Sequence, residues 1–340
     1  LKGRTPVTEF GNSERIVTYL YTPINDYLVF SGDDTELNKT FVISVDFNET
    51  AAKLEMDVAM QLVNEKRGHE LIDTHKRSFE KIWQMGRIEM DNVELTRIAY
   101  VSLYALVSSL PSREHFTPLN PFFGLSSDSL SRGHGPADAR GRVYWHQEVF
   151  MFPVVLLMFD PAIAKQVLSS RVNAKQAAAE NAREFGAKGL KFPYDAAATS
   201  RDQARYSSGM DRLHVNANIA YAARQYLATT RDIAWLADEG GSELINGVAD
   251  FWVSRMFYDA ARTQYMLSET SREKEIKNDA YTNIGAAKSI YLAAYVNCLL
   301  NRSRLLDETR VAKAKCFAVP YDPENDRHVE FVANGNGVFK

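Results

Sequence analysis

Imidazole, amide and carboxylate stand side by side at His146, Gln147 and Glu148, and the segment that carries them, 144–159, is apolar on nearly every other side. That pattern predicts a buried helix with its polar residues gathered at the N-terminal mouth, an arrangement that suits a pocket. Trp145 beside them offers a ring face for stacking on a sugar, against the plainer reading of an aromatic residue in a core. Glu148 could accept from ligand hydroxyls, or could satisfy an arginine or backbone groups at the helix mouth. His146, Glu148 and the distant His214 are donors that zinc accepts. Neither a His-Glu-x-x-His spacing nor a cysteine pair accompanies them, so no metal is expected. Lys188 and Lys191 lie beside Gly186 and Gly189 without the Walker pattern, so a phosphate loop is discounted and no cofactor is implied.

A second segment must hold the first in place. Asp160-Pro161 supplies a capping residue followed by proline at the first helical position, and Gly186 supplies a C-terminal stop. Between them Ile163, Val167, Ala174, Ala178, Ala182 and Phe185 form one apolar stripe, interrupted only at Arg171. One helix over 160–186, hairpinned against 144–159, is the expectation.

At these residues the chain resembles glycoside hydrolase family 65. The run Tyr144-Trp145-His146-Gln147-Glu148-Val149-Phe150-Met151-Phe152-Pro153 carries the resemblance, with Asp160-Pro161, Arg171 and Gly189-Leu190-Lys191-Phe192-Pro193-Tyr194. It continues at His214-Val215-Asn216, Phe251-Trp252-Val253-Ser254-Arg255 and Asn278-Asp279-Ala280-Tyr281-Thr282-Asn283, with an earlier echo in Phe122-Phe123-Gly124-Leu125-Ser126. Within the family the chain is most similar to the branch that removes glucose from glucosylgalactosyl-hydroxylysine. The resemblance implies a carbohydrate ligand and a sugar pocket holding Trp145, His146, Glu148, Asp195 and His214.

Hydrolysis with inversion needs a carboxylic acid for the leaving oxygen and a carboxylate for water, about 6.5–9.5 Å apart. In the family the acid lies ten residues before the Tyr of Tyr-Thr-Asn. Counting back from Tyr281 reaches Ser271, which cannot protonate a leaving group. Glu269 or Glu273 could serve only if the loop were shifted, and a displaced proton donor loses heavily in rate. His146 replaces a family Asp, Arg212 replaces a Glu two residues before His214, and Asp195 stands where Glu is usual. The resemblance therefore implies a family member with degenerate catalytic residues, a non-catalytic carbohydrate-binding or structural homologue. The alternative is an inverting α-glucosidase acting on glucosylgalactosyl-hydroxylysine or a related α-glucoside. A phosphorylase is a third possibility.

Composition bounds the partners. The 340 residues are 45% hydrophobic, enough for a sizeable core, and the formal net charge of −3 with scattered Lys and Arg argues against nucleic acid. No apolar stretch is long enough to span a membrane. Cys298 and Cys316 allow one disulfide or two buried thiols. The sequons at Asn38, Asn48 and Asn301 favour a secreted glycoprotein over a cytoplasmic chain. The opening Leu1-Lys2-Gly3-Arg4 lacks Met and a signal segment, as in a piece of a longer precursor.

In order along the chain, 17–21, 27–30 and 40–47 read as short strands, the last of a β-sandwich whose remainder would precede Leu1. From Glu49 the period becomes helical, with helices to Gly68, to Gly86 and over 92–109, and further ones through Val215–Tyr226, Leu244–Trp252 and Ile284–Cys298. The proline- and glycine-punctuated connection 111–141 is long enough to be functional. Helical hairpins without alternating strands fit a mainly α chain, an incomplete α/α toroid of the six-hairpin barrel type. The expected domains are the sandwich end (1–48), the toroid (49–315) and an irregular segment (316–340). Other chains, or fragments of the same precursor, would cover the open toroid's apolar faces.

Overall fold

The computed structural model describes residues 1–4, 16–24, 26–27, 29, 32, 39–110, 122–126, 142–202, 212–270, 275–277, 279–302 and 305–329. The described chain is mainly helical, and it clusters into two compact units, one up to Arg87 and the other from Ile88 onward.

In the first unit β1 (Lys2–Arg4), β2 (Ile16–Tyr21) and β3 (Ile43–Asp46) form an antiparallel sheet in that order, with Gly3 opposite Val17 and Tyr19 opposite Val45. Of the expected strand at 27–30, Tyr27 and Val29 are exposed and outside any strand, while Leu28 and Phe30 lie outside the described residues. The third strand of the sheet is Lys-Gly-Arg, which has no β-branched residue and is held by backbone pairing to β2. The alternation of β2 puts Thr18 inward, where α1 (Glu49–Asn64) packs on β2 and β3. Asn48 starts α1 by accepting from the amides of Thr50 (2.9 Å) and Ala51 (3.2 Å), so this exposed sequon residue is also a helix cap. α2 (Gly68–Met85) packs on α1. Asn38 lies outside the described residues.

In the second unit α3 (Val93–Val107) is capped by Asn92. The segment 144–159 departs from one regular helix. It opens in β4 (Val143–Tyr144), paired with β5 (Asp195–Ala196), makes a π-helical turn over Gln147–Met151, and only then becomes α4 (Phe152–Met158). The reason is Pro153: it has no N–H for the carbonyl of Val149, and its ring would crowd that carbonyl in an α-turn. The widened turn avoids the conflict, and the Phe152 amide bonds back to the Gln147 carbonyl. The expected helix over 160–186 is likewise two, α5 (Pro161–Asn173) and α6 (Lys175–Glu184), because Ala174 sits at φ −84° and ψ 2° and turns the axis.

α7 (His214–Thr230), α9 (Gly241–Arg255) and α10 (Ala280–Leu299) pack on one another, with α5 against α7, α8 (Ile233–Asp238) against α9 and α11 (Leu305–Lys315) against α10. Trp235, Trp252, Phe152, Phe192 and Phe251 lie fully buried in the resulting core. The stretch before Tyr194 is fixed to α9 by a close approach. Gly189 adopts φ +76°, a Cβ there would lie 2.3 Å from the Gly247 carbonyl oxygen, and the Leu190 amide donates to that oxygen at 2.9 Å.

Strands do interrupt the helices. Hairpins β6 (Phe257–Asp259) with β7 (Gln264–Met266), and β8 (Ser268–Thr270) with β9 (Glu275–Lys277), lie between α9 and α10. β10 (Tyr321–Asp322) and β11 (Arg327–His328) form another after α11. Cys298 and Cys316 are free and exposed, so they are neither paired nor buried. No described helix is long and apolar enough to cross a membrane.

Candidate functional site

The π-helical turn directs Gln147 and Glu148 inward, each about 1% exposed. Glu148 meets Arg171 of α5 through two bonds, Nε to Oε1 at 2.7 Å and Nη2 to Oε2 at 3.1 Å, and Gln147 Nε2 donates to Oε1 at 2.6 Å. A forked guanidinium against a carboxylate is the strong geometry for such a pair, and here it leaves neither oxygen of Glu148 uncommitted. Gln147 Oε1 accepts from the Leu125 amide at 2.6 Å, and a Cβ at Gly124 (φ +127°) would lie 2.6 Å from that same oxygen, so the position calls for glycine. The far side of Arg171 lies 5.7 Å from the centre of the Phe192 ring.

The β4–β5 register sets Tyr144 opposite Asp195. Asp195 is 6% exposed and accepts from Arg142 Nη1 at 2.5 Å. Burial pushes its carboxyl up, and Arg142 only partly offsets the shift.

Rings close around the mouth of the turn. Trp145 stacks on His146 at 4.4 Å and meets His214, at the start of α7, edge-on at 5.6 Å. His214 in turn lies 6.1 Å from both Tyr194 and Tyr281, and Tyr144 lies 5.9 Å from Tyr194. Tyr281 donates its hydroxyl to Asn218 Oδ1 at 2.7 Å, and the Arg212 guanidinium lies 5.0 Å over Tyr194. Burial lowers His214 to about 4, with the Arg212 charge adding to the effect, and burial alone lowers His146. Both imidazoles are therefore neutral near pH 7, each with one donor and one acceptor nitrogen. His146 Nδ1 is buried without a hydrogen-bond partner among the described residues.

The structure thus gathers Trp145, His146 and His214, sets Asp195 next to Tyr144, and places Glu148 below them in its own pair with Arg171. Tyr144, Tyr194, Tyr281, Asn218 and Arg142 join the site without having been singled out as site residues. For three of them the signal was present, since Tyr144, Tyr194 and Tyr281 fall within the motif runs themselves. Of Glu269 the structure describes only the backbone pairing with Ile276, while Ser271 and Glu273 lie outside the described residues. Asn301 is exposed at φ +51° just after α10. Among the described residues no group of three His, Cys, Asp or Glu side chains could hold a metal ion. Lys191 is committed to Asp202 at 2.9 Å. A rim of ring faces, two neutral imidazoles and one amide suits a neutral, polyhydroxylated ligand, which stacks and exchanges hydrogen bonds without needing a counter-charge.

Residues 127–326 match the model of the glycosyl hydrolase family 65 central catalytic domain. The chain is 31% identical over 339 residues to protein-glucosylgalactosylhydroxylysine glucosidase of Danio rerio, covering 97% of this chain and 50% of that one. It is 30% identical over 336 residues to the Gallus gallus protein of that name, covering 97% and 47%. A kojibiose phosphorylase of Halothermothrix orenii is 27% identical over 275 residues, covering 75% and 33%. A solved structure named as a candidate kojibiose phosphorylase from the human microbiome superposes with a TM-score of 0.68 at 16% identity, over 97% of this chain and 48% of that one, and shares the fold. The chain spans about half the length of the curated relatives it matches. With the family model covering more than half of it, the chain belongs to glycosyl hydrolase family 65.

Proposed function

We propose that the protein binds an α-glucoside-bearing glycan at the Trp145–His214 cluster and does not hydrolyse it. The observation that carries this reading is the commitment of both oxygens of Glu148 to Arg171; Asp195 gives one oxygen to Arg142 and keeps Oδ1 without a hydrogen-bond partner among the described residues. A proton donor must be able to reach a leaving oxygen, and Ser271 at the family's acid position carries an aliphatic hydroxyl far too weakly acidic to protonate one. The helical unit is part of an α/α toroid, and the three-stranded sheet is the end of a β-sandwich. The resemblance in sequence and the shared fold support that architecture.

The names of the relatives support a second reading, an inverting α-glucosidase in which Glu269 or Glu273 protonates the leaving oxygen. The two part in one experiment. The purified protein is offered glucosylgalactosyl-hydroxylysine, kojibiose, trehalose and maltose, with and without phosphate, while glucose release and calorimetric binding are followed together. Binding without release, lost in Trp145→Ala, is the expected outcome. Release that vanishes in Glu269→Gln or Glu273→Gln would replace it with the glucosidase.

A further inference from the structure

Trp145 and His146 stand between two fixed ends of chain. Ahead of them β4 is paired with β5, Val143 opposite Ala196 and Tyr144 opposite Asp195. Behind them α4 is set in the core by Phe152, Val155 and Leu156, all buried. The π-helical turn Gln147–Met151 joins the two with one residue more than an α-turn holds, and the bond from the Phe152 amide to the Gln147 carbonyl closes it. In an α-turn that residue would have to be taken up at Trp145 and His146. A step of one residue turns a helix by about 100° and advances it by about 1.5 Å, enough to carry Trp145 off its edge-on contact with His214.

Two features hold the wider turn. Counting back from the buried Phe152, an α-helix brings the fourth residue, Glu148, to the same face, and the π-turn adds the fifth, Gln147. The extra residue therefore lets the Gln147 amide accept from the Leu125 N–H and donate to Glu148, both at 2.6 Å. The second feature is Pro153. Any other residue there could offset the loss of those side-chain bonds by donating its N–H to the Val149 carbonyl in an α-turn. Proline has no N–H to give, and its ring crowds that oxygen.

We propose that Pro153 is a positioning residue of the glycan site: it excludes the α-turn and, with the Gln147 amide, fixes where Trp145 stands against His214. Its effect on affinity rests on the glycan reading, whereas the Trp145–His214 contact is measured without ligand. Selectively labelled Trp and His report that contact as a nuclear Overhauser effect, and calorimetry with kojibiose and glucosylgalactosyl-hydroxylysine reports affinity. Pro153→Ala and Gln147→Met each leave the other restraint in place and should weaken binding by less than about twofold. The double variant should weaken it by at least about tenfold, because only the fraction of molecules in the π-turn binds. It should also lose the Trp145–His214 effect, while the signals of Trp235 and Trp252, buried in the core, stay where they are. Pro153→Ala alone, with every buried side chain in place, should show microsecond-to-millisecond exchange broadening at Trp145 and His214 that the parent lacks. A double variant no weaker than the product of its single variants, an intact contact in it, or a Pro153→Ala protein without that exchange overturns the proposal. A parent that binds no glycan refutes the glycan reading alone, and the contact and the exchange then decide the role of Pro153.

Discussion

Replacing Arg171 by methionine keeps most of the side chain's volume and removes its charge, so Glu148 keeps one donor, Gln147 Nε2, in a site that admits almost no water. Breaking one side of a buried pair costs about 3–5 kcal/mol, because the remaining charge is left uncompensated. Arg171→Met should therefore lower the unfolding free energy by about that amount. Glu148→Gln alone leaves a buried guanidinium facing a neutral amide and should cost a similar amount. The double variant Arg171→Met, Glu148→Gln, with no charge to strand, should recover at least about 2 kcal/mol of the summed loss, since neutral replacements of buried pairs are often well tolerated. Urea unfolding followed by tryptophan fluorescence, analysed as a double-mutant cycle, measures the coupling. A single Arg171→Met variant within about 1 kcal/mol of the parent, or a cycle with no coupling, would refute the assignment of Glu148 to the core. The same proteins also test the glycan reading: if Glu148 only holds the floor, the folded double variant should bind glycan as the parent does.

Three shorter predictions accompany this one. His214 has a folded value of about 4, below the ordinary histidine value of about 6.5, so its contribution to stability is full above pH 6.5 and is lost as the pH falls toward 4; denaturant midpoints across that window should flatten in His214→Gln. Gly189→Ala, with its Cβ 2.3 Å from the Gly247 carbonyl and 2.4 Å from the Phe251 amide at a positive φ, should lose at least about 2 kcal/mol by the same unfolding assay, whereas Gly186→Ala, with nothing within 4 Å of its Cβ, should lose less. Tyr281→Phe removes the hydroxyl bonded to the buried Asn218 Oδ1 and should cost about 1–2 kcal/mol, read as a lower thermal midpoint.

What the sequence made legible is what local physics writes. Asp160 caps a helix where its type and the proline after it say it should, and the apolar beat of 3.6 places α7 and α9 with that face buried, whereas in α10 the beat through Ile284, Tyr291 and Cys298 lies on the exposed side. β1 was illegible because Lys-Gly-Arg has no strand signal of its own and is a strand only through the backbone of β2. The turn at Gln147 was illegible for a different reason: Pro153 stood in view, yet its conflict with the Val149 carbonyl appears only when the helix is built. The site divides in the same way. Its rings lie within motif runs, but their convergence on His214 joins residues from three separate stretches of chain.

Arg171 is the instructive residue. Along the sequence it only breaks an apolar stripe, and Glu148, 23 positions earlier, only offers a carboxylate to a pocket. Each is half of a statement that elementary electrostatics completes, since a charged residue on the buried face of a helix requires an opposite charge on whatever packs against it. α5 packs against α4, and the acid on the π-helical turn that leads into α4 is Glu148, within reach of Arg171. The interruption in one helix and the polar mouth of the other are therefore the same interaction, and the carboxylate that the sequence offers to a pocket is the one whose charge the fold consumes.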